Sequence, residues 1–150
     1  MKLIFKGKVA LVTGGSGGIG LDVSKKLAKL NIKVLILDIN KPKISRNKFI
    51  YFEQVDLSNE NEINQAIGKF IKKEKRIDYV VNAAGVLWFD KDLGLEKIKT
   101  NIWDKVFSIN LKSMLIVLKK ILPNMKKNKF GSIVNISSVD ALSGDDKPQE

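Results

Sequence analysis

Residues Thr13 to Gly20 read T-G-G-S-G-G-I-G, with five glycines in seven positions, and this stretch decides the fold. It follows the apolar run at residues 8–12, which has the composition of a strand. It opens residues 18–30, where apolar side chains recur at helical spacing. Glycines here allow a tight turn and a close approach of the backbone to a diphosphate, which the helix dipole and free N–H groups attract. The loop therefore predicts nucleotide binding rather than a merely flexible connection.

Two glycine spacings fit the loop equally well. The pattern G-x-G-x-x-G is met at Gly15, Gly17 and Gly20. The pattern G-x-x-x-G-x-G is met at Gly14, Gly18 and Gly20. Because the physical role of the loop is the same in both patterns, the residues alone leave this choice open.

Apolar strands alternate with helices along the rest of the chain. Further strands are predicted at residues 33–38, 49–55, 77–81 and 132–137, and helices at 60–73, after the capping pair Asn59 and Glu62, and at about 102–127. Strands that are continuously apolar are typical of parallel sheets covered on both faces. The sequence therefore predicts one NAD(P)-binding domain over residues 1–150. Its fold class is α/β, a Rossmann-type doubly wound parallel sheet in the order 3-2-1-4-5 that stops after strand five.

Asp38 ends the second predicted strand, 18 positions after Gly20, where an acidic residue is expected to accept the ribose hydroxyls of a dinucleotide. A carboxylate there would repel the 2′-phosphate of NADP. No basic residue lies in the glycine loop, and Ile39 follows the aspartate where an arginine would favour NADP. The alternative is that Asp38 is only a turn residue. Its position favours NAD as the cofactor, with NADP less favoured.

Composition narrows the chemistry and the partners. The chain has no cysteine and no histidine, which removes disulfides, the commonest metal ligands and the commonest general base, and we predict no metal site. No apolar run reaches the length of a membrane span and no signal peptide is recognisable, so we expect a cytoplasmic protein without a membrane partner. The net charge of +11 would fit a nucleic-acid binder. Because the lysines are scattered and lie where helices should end, a solvated surface is favoured and no nucleic-acid partner is expected.

Several motifs, in the right order, resemble the short-chain dehydrogenase/reductase family over nearly the whole chain. The family's form of the loop, T-G-x-x-x-G-x-G, selects Gly14, Gly18 and Gly20 over the other spacing. The other motifs are Asp56-Leu57 after strand three, Asn82-Ala83-Ala84-Gly85 after strand four, Asn110 in the long helix, and the segment 131–138 with Ser138 at its end.

The resemblance implies hydride transfer between NAD(H) and a small carbonyl or alcohol substrate. Ser138 would hydrogen-bond the substrate oxygen, and Asn110 would position a relay water. The implied cofactor-binding residues are Thr13, Gly14, Ser16, Gly18, Ile19, Gly20, Asp38, Asp56, Leu57, Asn82, Ala83 and Gly85. Purely structural roles stay open for Asn82, Gly85 and Asn110. Trp88 and Phe89 would line the substrate pocket or simply pack.

One part of the family pattern is missing from these residues. In the family, a Tyr-x-x-x-Lys pair on the next helix supplies the general acid/base and lowers its pKa. The two tyrosines here, Tyr51 and Tyr79, are followed four positions later by Val55 and Ala83. The chain stops at Glu150, about where the pair is expected, so we expect an enzyme fragment that is inactive alone. The alternatives are a non-catalytic NAD(H)-binding module, a half-enzyme that needs a partner chain, and, least favoured, a basic nucleic-acid binder.

The predicted helix at residues 102–127 is apolar nearly all round, although a surface helix needs only one apolar stripe. The resemblance implies that the next helix covers its second face and that the two form a subunit interface in a homo-oligomer. Strand five similarly lacks its next neighbour. We therefore expect self-association, with Leu115 and Leu118 as exposed positions where polar substitutions improve solubility.

Overall fold

The protein is seen here in a computed structural model, which describes residues 4–88, 90–91 and 94–139. Its strands are β1 (Val9–Thr13), β2 (Lys33–Asp38), β3 (Ile50–Gln54), β4 (Tyr79–Asn82) and β5 (Ser132–Asn135). Its helices are α1 (Gly18–Lys29), α2 (Glu60–Glu74), α3 (Thr100–Phe107) and α4 (Ser113–Lys127), with a π-helical turn (Ser108–Lys112) between the last two. No helix within the described ranges combines the length and the apolar character needed to cross a membrane.

The five strands form one parallel sheet in the order β3-β2-β1-β4-β5, which confirms the predicted fold class. The register aligns the carboxyl ends of the strands. Thr13 pairs with Leu37 on one side and with Asn82 on the other, and Asn82 pairs with Asn135. Because parallel strands end at a common edge, the glycine loop after β1 and the connections after β2, β3 and β4 meet there, which is where open α/β sheets bind ligands.

The central strands of the sheet are covered on both faces, as a doubly wound fold requires. Leu11 belongs to a core cluster that β1 shares with α2 and α4, including Ile67 and Val117. Val12, the next residue, belongs to a second cluster that includes Leu27 of α1. Successive residues of β1 thus serve opposite cores, so every residue of this strand is buried.

The single helix predicted at residues 102–127 is in fact two helices separated by the π-helical turn. Ser113, the first residue of α4, donates its hydroxyl to the Ile109 carbonyl in the turn at 2.6 Å. The Asn110 side chain bonds to the Val86 backbone. The segment is apolar nearly all round, so no break in helical spacing marks the turn in the sequence. Strand five is also shorter than predicted, since it ends at Asn135.

Apolar side chains of α3, the π-helical turn and α4 form an uncovered face, named here the bare face. Its members are Trp103, Phe107, Leu111, Leu115 and Leu122. Leu111 and Leu115 are the most exposed of these, at 60% and 65%. Every residue of β5 is exposed as well. Leu118 differs, because it packs against the core and is half-buried.

Candidate functional site

A cleft of about 800 Å³ opens at the carboxyl edge of the sheet. Its walls come from the glycine loop, the ends of β2 and β3, the segment after β4, and one side of α3 and the π-helical turn. Nine of the predicted cofactor-binding residues line it: Gly14, Ser16, Gly18, Ile19, Asp38, Asp56, Leu57, Ala83 and Gly85. The fold thus brings together side chains that lie far apart in the sequence.

A second cleft of about 950 Å³ runs along the bare face and is bordered by Phe107, Leu111 and Leu115. It is larger, but it contains none of the glycine loop and shares only Lys105 with the first cleft. Its apolar lining belongs to the uncovered surface of the helices. We therefore place the candidate site in the first cleft, where the chemistry-bearing residues converge.

The glycine loop combines tight backbone contacts with open space. Gly14 has a left-handed φ of +64°, and a Cβ there would lie 2.7 Å from the Ala84 Cα. A Cβ on Gly20 would lie 2.2 Å from the Gly14 carbonyl oxygen, so neither position accepts a side chain. By contrast, a Cβ on Gly17 or Gly18 would meet nothing within 4 Å. The loop is therefore tightly packed against neighbouring backbone at Gly14 and Gly20, and it has open space at Gly17 and Gly18, which line the cleft.

Among the described residues, no side chain caps the N–H groups at the N-terminus of α1. Gly17 caps it without a side-chain hydrogen bond, and the first turn carries no acidic residue. The N-terminus of α2 is closed by comparison, because the Asn59 side chain accepts from Asn61 and Glu62 and donates to Glu62. This capping pair was predicted. An open helix N-terminus that faces a cleft attracts an anion through its N–H groups and its dipole.

Asp38 is fixed beside the glycine loop. Its Oδ2 accepts from the Ser16 N–H at 3.0 Å, and its Oδ1 accepts from the Asn40 N–H at 2.9 Å. A carboxylate has about four acceptor positions, so each oxygen keeps capacity for a hydroxyl donor in the cleft. The Ser16 hydroxyl is buried and has no hydrogen-bond partner among the described residues, although Ser16 lines the same cleft. An orphaned buried polar atom beside an open loop fits a site that binds a polar ligand.

Asp56 lies at another wall of the cleft, within a network of hydrogen bonds. Its Oδ1 accepts from the backbone and hydroxyl of Ser58 at 2.8 and 2.7 Å, and its Oδ2 accepts from the Lys105 ammonium at 3.1 Å. Burial raises the pKa of the Asp56 carboxyl, but the hydrogen bonds from Ser58 and the nearby Lys105 charge outweigh it. The pKa of Asp56 is therefore lowered from its ordinary value.

Thr13, Gly20 and Asn82, which the resemblance also implicates, do not line the cleft. The Thr13 hydroxyl accepts from the Ala84 N–H at 3.3 Å and so connects the glycine loop to the segment after β4. The Asn82 amide nitrogen donates to the Asn135 side chain at 2.8 Å, while the Asn82 amide oxygen is buried and meets no hydrogen-bond donor in the described part of the chain. Thr13 thus supports a wall of the cleft from behind, whereas Asn82 connects β4 to β5.

Neither of the two predicted catalytic residues lines the cleft. Asn110 adjoins it, since its amide oxygen accepts from the Val86 N–H at 2.8 Å and its amide nitrogen donates to the Val86 carbonyl at 2.9 Å. Ser138 is exposed and lies beyond the end of β5. Trp88 lines the cleft, whereas Phe89 lies outside the described residues.

Lys105 is the charged residue of the cleft that the sequence did not reveal. It lines the cleft and contacts both Asp56 and Ser58. In the sequence it is one of many lysines, and nothing in its neighbours indicates a partner 49 residues away. Only the placement of α3 against the connection between β3 and α2 shows this role.

Comparison with known proteins identifies the family of this chain. A family model described as short chain dehydrogenase matches residues 8–147. The chain belongs to the short-chain dehydrogenase family. This confirms the family resemblance noted in the sequence.

Two similar short-chain dehydrogenase relatives are named for reductase activities. An acetoacetyl-CoA reductase of Acinetobacter sp. is 32% identical over 147 residues, which cover 91% of this chain and 58% of the relative. A 3-oxoacyl-[acyl-carrier-protein] reductase FabG of Rickettsia typhi is 34% identical over 146 residues, covering 93% of this chain and 57% of the relative. The chain thus spans somewhat more than half the length of these relatives.

Two solved structures of the family carry different cofactors. ElxO with NADP bound has a TM-score of 0.82 and 33% identity, covering 95% of this chain and 59% of the other. A short chain dehydrogenase from Leptospira borgpetersenii with bound NAD+ has a TM-score of 0.85 and 25% identity, covering 97% and 59%. Short-chain dehydrogenases similar to this chain therefore include both NAD and NADP binders.

Proposed function

We propose that this chain binds NAD(H) as the cofactor-binding part of an oxidoreductase that transfers hydride to or from a small carbonyl or alcohol compound. The observation that carries the proposal is the uncapped N-terminus of α1, which opens into the cleft between the glycine loop and Asp38. Open N–H donors beside a fixed carboxylate suit a molecule that has both a diphosphate and ribose hydroxyls.

Different residues of the cleft would hold the diphosphate, the ribose and the base of this cofactor. The backbone of Gly18 and Ile19 would hold the diphosphate, and the Ser16 hydroxyl, which has no partner within the described residues, would supply a further donor. Asp38 would accept the ribose hydroxyls and disfavour a 2′-phosphate, so NAD(H) is preferred to NADP(H). Asp56 and Leu57 would contact the base. When bound, the nicotinamide ring exchanges a hydride with the substrate carbon.

Catalysis needs groups beyond the cofactor site. Ser138 would hydrogen-bond the substrate oxygen, and Asn110 would position a water, as the resemblance implies. No Tyr-x-x-x-Lys pair occurs in the 150 residues, and loss of a general acid costs a factor of about 10² to 10⁴ in rate. We therefore propose that these 150 residues bind cofactor without turnover.

A second candidate is a half-enzyme that a partner chain completes. It is favoured by the bare face and by the exposed strand β5, which leave apolar surface uncovered at the same side of the molecule. The segment at residues 102–127 would then form the interface between subunits. Both candidates require that the chain hold NAD(H), so the binding experiment comes first.

A substitution at Gly17 separates cofactor binding from folding. Gly17 is the N-cap of α1, its backbone is extended, and a side chain there meets open space. Asp is a favoured N-cap, so Gly17→Asp should leave the melting temperature unchanged or slightly raised. Its carboxylate would accept from the N–H groups that the diphosphate needs, and its charge would repel the cofactor. We expect the affinity for NADH, measured by calorimetry, to fall about tenfold or more.

Gly17→Asn is the matched control, because asparagine caps a helix as well as aspartate but carries no charge. We expect it to weaken NADH binding less than Gly17→Asp does. A folded Gly17→Asp variant that binds NADH as tightly as the unmutated chain would contradict the proposed site. So would an unmutated, folded chain that does not bind NADH.

A further inference from the structure

Helix α3 is only partly buried against the rest of the protein, and Lys105 makes its polar side-chain contact. None of its eight residues is fully buried. The Lys105 ammonium lies 3.1 Å from Asp56 Oδ2 and also donates to the Ser58 hydroxyl. Among the residues that the structure describes, no other side chain of α3 forms a hydrogen bond or an ion pair. Lys105 thus bridges α3 to the connection between β3 and α2.

The same bridge restricts the Asp56 carboxylate. Two hydrogen bonds from Ser58 hold Oδ1, Lys105 holds Oδ2, and the Asp56 N–H donates to Glu62 at 2.8 Å. Oδ2 keeps one acceptor position that these contacts do not use. The carboxylate therefore lines the cleft in one orientation, ready to accept one further N–H donor.

Lys105 also changes the charge of the cleft. Two carboxylates, Asp38 and Asp56, line it, and a diphosphate would add further negative charge. The Lys105 ammonium offsets Asp56 directly, because the two groups are in ion-pair contact. Both side chains of the pair are partly exposed, so its contribution to stability is small. Its effect is on position and local charge.

We infer that Lys105 is a positioning residue with two effects. It fastens α3 to the connection after β3, and it holds the Asp56 carboxylate in the orientation that would select the purine base of the dinucleotide. The identity of the ligand rests on the proposed function, whereas the fastening of α3 to the connection after β3 is independent of it. A fixed carboxylate oxygen would accept a hydrogen bond from the amino group of adenine. Hypoxanthine has a carbonyl oxygen in that place and would face the carboxylate with an acceptor. Lys105 therefore determines how strongly the site discriminates between the two bases.

Hydrogen exchange on the ligand-free protein tests the fastening. In Lys105→Met, we expect the amides of α3 to exchange about two- to fivefold faster, the range for a partly exposed ion pair. Lys105→Arg, which keeps the cation, should restore most of the protection. Lys119→Met is the matched control, because it removes the same charge from an exposed position of α4. Unchanged exchange of α3 in Lys105→Met would overturn the fastening.

Calorimetry with two dinucleotides tests the selection of the base. We expect the unmutated chain and Lys119→Met to bind NADH more tightly than its hypoxanthine analogue, by about three- to tenfold. In Lys105→Met this ratio should fall towards one, and Lys105→Arg should recover it. A Lys105→Met variant that binds NADH with the ratio unchanged would overturn the inference while leaving the proposed function intact. An unmutated chain that binds neither dinucleotide would overturn the proposed function and the base selection together. Hydrogen exchange on the ligand-free protein would then still test whether Lys105 fastens α3.

Discussion

The side-chain amide of Asn110 makes two hydrogen bonds to the backbone of one residue, Val86. Its oxygen accepts from the Val86 N–H at 2.8 Å, and its nitrogen donates to the Val86 carbonyl at 2.9 Å. Asn110 lies in the π-helical turn, and Val86 lies in the segment after β4 that lines the cleft. The pair therefore fixes a wall of the cleft to the helical segment that approaches it, a structural role that the sequence left open.

Removal of this side chain should destabilise the protein. Asn110→Ala leaves the Val86 N–H and carbonyl without their partner, and we expect the free energy of unfolding to fall by about 1 to 3 kcal/mol. Urea denaturation measures this change. Asn101→Ala, at an exposed position of α3, is the control and should have little effect. Equal stability of the Asn110→Ala and Asn101→Ala variants would show that the pair does not hold the wall.

The lowered pKa of Asp56 predicts a dependence of stability on pH. Because the pKa of Asp56 in the folded state lies below its ordinary value of 3.8, the ionised group stabilises the protein above that value. This contribution is lost as the pH falls through the lowered pKa. In urea denaturation, the unmutated chain should be more stable than Asp56→Asn at neutral pH, and the difference should shrink only below about pH 4. A difference that is independent of pH throughout would argue against the ionised network.

Polar substitutions at two leucines of α4 should change different properties of the protein. Leu115 is 65% exposed, so Leu115→Lys should reduce self-association with little change in melting temperature. Leu118 packs against the core, so Leu118→Lys should lower the melting temperature. The sequence predicted improved solubility at both positions, since periodicity alone did not separate them. Sedimentation and thermal melts test the pair, and a stable monomer of the unmutated chain at high concentration would contradict self-association.

The fold was predictable because its signals are local. Continuous apolar strands, helical spacing and the glycine turn are each readable within a few residues, and together they specify the sheet order. The bonds between Asn110 and Val86 were not predictable, since the two residues lie 24 positions apart in the sequence. The pairing of Lys105 with Asp56 was hidden for the same reason, because it depends on where α3 lies relative to the cleft.

The absence of a Tyr-x-x-x-Lys pair from these residues predicts no turnover. When the purified chain is mixed with NADH and a panel of ketones, absorbance of the reduced nicotinamide should decay no faster than without protein. A full-length short-chain dehydrogenase in the same assay is the positive control. Sustained oxidation of NADH by the 150-residue chain would mean that another group supplies the proton.

Asp38 predicts the preference between the two nicotinamide cofactors. Its carboxylate is held by Ser16 and Asn40 at the wall of the cleft, where a 2′-phosphate would meet a like charge. Asp38→Ala removes that charge and the acceptor for the ribose, so the preference for NAD(H) should narrow. Asp104→Ala, which removes an exposed carboxylate from α3, controls for the change in net charge.

Calorimetric titration of the unmutated chain with NADH and with NADPH tests the central claim most directly. We expect one weak binding site per chain, with NADH bound more tightly than NADPH. Tighter binding of NADPH, or no binding of either cofactor by the folded chain, would contradict the account of the cleft as an NAD(H) site.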